Sequence, residues 1–181
     1  MSASPNPEVT LLADSLYIAT NQIMAPSGLF HWSMYITDSA GKATKYEWAD
    51  LPPHTGTGKA EGLVITRVDP VSTYSQNFVI TFAMTHVNGY IPPPAPFLEH
   101  LFANVFEEPY TLGYGSIQEN RRNNLTCRTW AMTVYAKLVE AGYIGRTESR
   151  DDLEAFVKAK SIALEEKAAI GKLECTEIVE F

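Results

Sequence analysis

Only two cysteines, Cys127 and Cys175, occur in the 181 residues, and they form no short-spaced pair. His54, His86 and His100 are scattered, with no H-E-x-x-H arrangement among them. A disulfide framework and a metal centre are therefore not expected, and no cofactor site is evident. Positive charge is also scarce: 14 Lys and Arg face 21 Asp and Glu, for a formal net charge of -7. Binding a phosphate backbone needs a clustered excess of cations, so nucleic acid is excluded as a partner. The nearest thing to a basic cluster, Arg121-Arg122 with Arg128, suits one small anion at most. No window approaches the roughly 18 apolar residues of a membrane helix, so a membrane partner is not expected. The polar start, Met1 to Pro7, lacks the positive and apolar stretches of a secretory signal. A cytoplasmic protein with free thiols follows, in which the Asn124-Leu125-Thr126 sequon goes unglycosylated.

What is present is enough for one domain over residues 1–181, with 1–14 as a loose N-terminal tail. The content is 45% hydrophobic and 11% aromatic, typical of a chain that buries a core. Ser15–Ile23 and Leu29–Thr37 read as strands. In the second, alternation puts His31, Ser33 and Tyr35 on one face and Phe30, Trp32, Met34 and Ile36 on the other. Asp38 to Lys42 is a hairpin connection, from which Lys45–Ala49 returns antiparallel. Gly62–Val68 and Gln76–Thr85 are further strands, rich in β-branched residues. Beyond Pro92-Pro93-Pro94 the period changes to that of a helix. Phe97–Glu107, Cys127–Tyr143 and Asp151–Ile170 are predicted helices, Tyr110–Asn124 an irregular loop, and Cys175–Phe181 a closing strand. Strands first and helices afterwards predict a segregated α+β fold, an antiparallel sheet packed against helices.

Cysteine attacks as thiolate, and a helix N-terminus favours thiolate because unpaired backbone N–H groups present partial positive charge there. Cys127 opens a predicted helix, with Asn123, Asn124 and Thr126 as capping groups before it and Arg128 as a neighbouring cation. Buried cysteine is also a common inert core residue, and Cys127 shares its stripe with Ala131 and Val134. His31 is the candidate base for the thiol proton, and a carboxylate on the returning hairpin strand, Glu47 or Asp50, would orient it. The turn register decides between the two. Tyr35, Trp48, Tyr114 and Trp130 are candidate pocket aromatics, and Arg128 a candidate substrate contact. Cys175, among Glu174, Glu177 and Glu180, is disfavoured as a thiolate. Gly56-Thr57-Gly58-Lys59 fails as a phosphate loop, because Pro53 and Ala60 replace its first Gly and its Ser/Thr.

The order His31-Trp32-x-x-Tyr35, hairpin, carboxylate, then a helix opening with Cys127-Arg128-x-Trp130 resembles the circularly permuted papain-like proteins. Those include the NlpC-related and lecithin:retinol acyltransferase-like groups. It is more closely similar to an uncharacterised fungal family with an HW-x-x-Y strand and a C-R-x-W helix start, over roughly Leu29 to Ile144. The acyltransferase-like group carries an Asn-Cys-Glu-His run where this chain has Thr126-Cys127-Arg128-Thr129, and the fungal family often has Gly where Thr126 stands. The resemblance implies covalent cysteine chemistry on an acyl or amide bond, with His31 as base, Glu47 in third place and a setting in fungal secondary metabolism.

The leading functional expectation is a cysteine-dependent acyl-transfer enzyme (hydrolase, acyltransferase or cyclase) acting on a small acyl, thioester or amide substrate. The backbone N–H of Cys127 would stabilise the oxyanion. Two alternatives belong to other classes. One is a non-covalent isomerase, cyclase or ligand carrier using His31 and a carboxylate. The other is a non-enzymatic interaction module presenting the acidic C-terminal helix and tail.

Overall fold

The period-two segments pair into a sheet wherever alternation gives each strand an apolar face, and the helical segments close that face. The computed structural model describes residues 6–23, 26–52, 56–68, 70–74, 79–106 and 113–181. Within them the strands are β1 (Glu8–Val9), β2 (Leu16–Asn21), β3 (His31–Thr37), β4 (Ala43–Asp50), β5 (Glu61–Val68), β6 (Val71–Ser72), β7 (Thr81–His86) and β8 (Glu177–Glu180). The helices are α1 (Ala95–Ala103), α2 (Ile117–Arg122), α3 (Cys127–Glu140) and α4 (Arg150–Ala169). A six-stranded sheet has the order β5-β4-β3-β2-β7-β8, and β1 and β6 make a separate two-stranded ladder. All pairs in the large sheet are antiparallel except β7 with β8, where the C-terminal strand returns alongside β7 after the helices. The fold is α+β, as the sequence pattern predicts.

Side-chain alternation divides the sheet into two apolar faces. Leu16, Ile18, Trp32, Met34 and Trp48 point to the helices and share one core with Leu101, Phe102, Trp130, Val134, Leu138, Leu153 and Val157. Tyr17, Ala19, Tyr35 and Met84 point the other way and pack with Leu11, Ala43 and Val71. β2, covered on both faces, is therefore buried at every position. The loose tail expected over 1–14 is corrected for its described residues, 6–14. Residues 8 and 9 pair with β6, Leu11 is buried, and the Leu12 amide donates to the Tyr17 hydroxyl, because the second sheet face needs a cover.

α3 is buried on most of its circumference, with α4 beside it; α3 lies over β3 and β4, α4 over β7 and β2. A buried polar contact pins α4 to the sheet. Thr20 Oγ1 and Ser161 Oγ are 2.6 Å apart in the core, and Ser161 also donates to the Val157 carbonyl. Ser161→Ala leaves the Thr20 hydroxyl without its partner. Urea unfolding is expected to show a loss of about 1–2 kcal/mol from that change.

The boundaries differ from the sequence reading in several places. α1 starts at Ala95, two residues early, because Pro94 serves as its N-cap. Glu107, residues 76–78, His54 and residues 110–112 lie outside the described residues. The predicted loop before Cys127 contains α2, a six-residue helix with too few apolar positions to show a period. Its signal was the capping pattern Ser116-x-x-Glu119, where the Ser116 hydroxyl accepts from the Glu119 amide at 3.2 Å. Among the described residues no helix is long and apolar enough to cross a membrane.

Candidate active site

The approach to Cys127 is set by how α2 ends. Asn124 adopts the left-handed conformation (φ 58°), the Leu125 amide donates to the Asn120 carbonyl at 2.8 Å, and the Asn124 amide donates to Arg121 at 3.1 Å. This is a Schellman closure with Asn in the place usual for Gly. It turns the chain within two residues into Thr126, the N-cap of α3, whose hydroxyl accepts from the Thr129 amide at 3.0 Å. The amides of Cys127 and Arg128 lie in the first turn, ahead of any intrahelical acceptor, and have none among the described residues.

Cys127 then meets β3 where its ladder with β4 is open. The recorded β3–β4 pairing runs from Thr37/Ala43 to Met34/Tyr46 and no further toward His31. The Thr37 amide points to the β2 side, donating to Ser15, so alternation aims the Trp32 amide toward β4. Instead of a strand carbonyl, Trp32 N–H finds the sulfur of Cys127, at 3.5 Å. His31, the first residue of β3, sits beside that sulfur. Its Nε2 lies 2.6 Å from Glu47 Oε2, and the ring interacts with the Cys127 thiol. Glu47, and not Asp50, is thus the carboxylate behind the imidazole. Glu47 Oε2 is also 2.6 Å from Lys45 Nζ, two residues back on the same face of β4.

These contacts shift the ionisable groups in a consistent direction. Burial pulls the His31 pKa down, but hydrogen bonds and charge from Cys127 and Glu47 outweigh it and raise it to about 9. Burial pushes the Cys127 thiol up, and it is overcome by the bond and charge of His31, the Trp32 amide and Arg121, so the thiol is lowered. Burial raises Glu47 too, yet His31 and Lys45 hold it below the usual carboxylate range. All three shifts run in the direction of a thiolate–imidazolium pair backed by a carboxylate.

Two clefts open at the pair and share His31, Cys127 and Arg121 in their walls. The smaller, about 280 Å³, is completed by Trp48, Ala49, Asp50 and Glu61. The larger, about 420 Å³, is walled by Ile23, Gly28–Trp32, Thr126, Arg128 and Lys158. Arg121, in the wall of both, grips buried Glu61 with its two terminal guanidinium nitrogens, at 2.7 and 3.0 Å, and donates to the Leu125 carbonyl at 2.9 Å. Buried Asn120 donates to the same carboxylate and accepts from the Tyr114 amide. This network anchors the α2–α3 turn to β5.

The predicted site residues therefore divide. Cys127, His31 and Glu47 converge, and Asp50, Trp48 and Arg128 line a cleft. Trp130 is wholly buried against Phe102 and belongs to the core. Tyr35 is buried on the opposite sheet face, where burial and the Glu47 charge raise its pKa. Tyr114 packs on the main core and lines neither cleft. Trp130 and Tyr35 are thus corrected as pocket aromatics: burying a large ring is the stronger demand. Lys45 and Glu61 were missed as site residues, and Arg121 entered only through the basic cluster suited to a small anion. Lys45 had a signal in its period-two spacing from Glu47. No protein-family profile, curated protein or solved structure matches this chain.

Proposed function

We propose that this protein is a cysteine-dependent acyl-transfer enzyme acting on a small acyl, thioester or amide substrate. The observation that carries the reading is the contact series Cys127–His31–Glu47 at a helix N-terminus whose first amides have no acceptor among the described residues, open to two clefts. The Cys127 thiolate attacks the carbonyl carbon, forming the S–C bond and moving the carbonyl pair onto oxygen, toward the Cys127 amide. Collapse restores the carbonyl and breaks the bond to the leaving group, which takes the proton of His31. Water, an amine or a thiol then attacks the thioester, gives its proton to His31 and frees Cys127. Glu47 keeps the imidazole oriented in both halves, with Lys45 holding Glu47. The order strand histidine, hairpin carboxylate, helix-start cysteine is that of permuted papain-like enzymes and supports the reading; fungal secondary metabolism is the setting that likeness implies.

The test is the pH dependence of alkylation by iodoacetamide, in a Cys175→Ser background because Cys175 is exposed. Reactivity at Cys127 is expected to develop well below pH 9.0, the ordinary thiol value, with a second change near pH 9 as the imidazolium loses its proton. A single rise centred at or above pH 9 would sink the proposal.

A further inference from the structure

Resting on that reading, the geometry points to the larger cleft as the seat of an acyl group whose chain ends in a carboxylate. Its apolar wall comes from the β2–β3 connection. Ile23 and Leu29 are 39% and 53% exposed, beside the ring of Phe30, in a chain that buries most of its large apolar side chains. Such a wall next to a reactive sulfur offers an apolar body somewhere to lie. The wall is held in place. Glu165 of α4 accepts from the Ser27 hydroxyl at 2.6 Å and from the Gly28 amide at 2.9 Å, so loop and helix form one frame.

The rim is cationic. Among the described residues Arg121, Arg128 and Lys158 line the cleft and no carboxylate does, in a protein of net charge -7. Arg121 is paired from outside the cleft with Glu61, and Arg128 with Glu154 at 3.4 Å. Lys158 has no partner among the described residues. The balance is one net positive charge, which matches a carboxylate monoanion better than a doubly charged phosphate. The smaller cleft, carrying Asp50 and Glu61, has the opposite character.

The test compares two chloroacetamides of equal length, N-hexyl chloroacetamide and 6-(chloroacetamido)hexanoate, on the Cys175→Ser protein. In each the Cys127 sulfur forms the bond to carbon and chloride leaves. The ratio of rate constants, acid over neutral, is divided by the ratio for N-acetylcysteine. We expect about a fivefold preference for the acid at low salt, shrinking as ionic strength rises. Lys158→Met is expected to bring the ratio toward one. Lys160→Met, on the same helix but outside the cleft, is expected to leave it. Fast alkylation by both probes with no preference overturns the cleft assignment and leaves acyl transfer standing. If neither probe reacts faster than with N-acetylcysteine, acyl transfer falls. The cleft is then judged by equilibrium binding of the unreactive acetamide analogues to Cys127→Ser, read by tryptophan fluorescence. There a preference for the acid supports the assignment, and equal or absent binding overturns it.

Discussion

At pH 6, His31→Ala is expected to slow alkylation of Cys127 by about a hundredfold. The argument is one of opposing influences on a single thiol. Burial raises its pKa, and the imidazole, through a hydrogen bond and a positive charge, is the largest influence lowering it. Without the ring, burial stands opposed only by the Trp32 amide and Arg121, and the thiol returns toward or above its ordinary value of 9.0. Alkylation follows the thiolate fraction, and a close opposite charge typically changes that fraction by roughly tenfold to a thousandfold. Glu47→Gln keeps a neutral hydrogen-bonding group at His31 and removes the charge that helps keep the ring protonated. It is expected to fall between wild type and His31→Ala. Its second titration should move below about 9, because Cys127 still raises the histidine value but the carboxylate's share is lost. Equal rates for all three proteins at pH 6 would show that the imidazole does not govern the sulfur.

Arg121→Met is expected to act on stability far more than on reactivity. Glu61 is 2% exposed, and among the described residues Arg121 supplies two of the three side-chain hydrogen bonds on its carboxylate. Removing the guanidinium leaves a buried carboxylate with only Asn120, and a loss of about 3 kcal/mol is expected in urea unfolding. Glu61→Gln combined with Arg121→Met should recover part of that loss, since the uncompensated charge is then gone. At Cys127, Arg121 is the last and smallest of the influences lowering the thiol, so the alkylation rate should change only a few-fold. A stability loss with reactivity almost intact would mark Arg121 as the anchor of the α2–α3 turn.

Much of this arrangement is legible in the chain. The alternation Phe30-His31-Trp32-Ser33-Met34-Tyr35 assigned each residue of β3 to its face, and β-branched runs marked β5 and part of β7. Thr126 before Cys127 marked the start of α3, because an N-cap is local chemistry. What failed was non-local. Nothing in Tyr35 or Trp130 says that one ring closes the second sheet face while the other fills the space under α1. Nothing in residues 8–14 says that the second face requires them as cover. α2 was hidden because six residues are too few for a period.

The sequence by itself determined the α+β layout, the faces of the strands and the helix-start position of Cys127, since these follow from side-chain period and capping, which act over a few residues. Only the tertiary structure decided that Glu47 and not Asp50 reaches His31. That choice rests on the register of the β3–β4 hairpin and on the opening of its ladder beyond Met34/Tyr46, where the sulfur of Cys127 takes the amide of Trp32. Cross-strand register and the seating of a helix on a sheet couple residues nearly a hundred positions apart, and neither leaves a mark on local sequence.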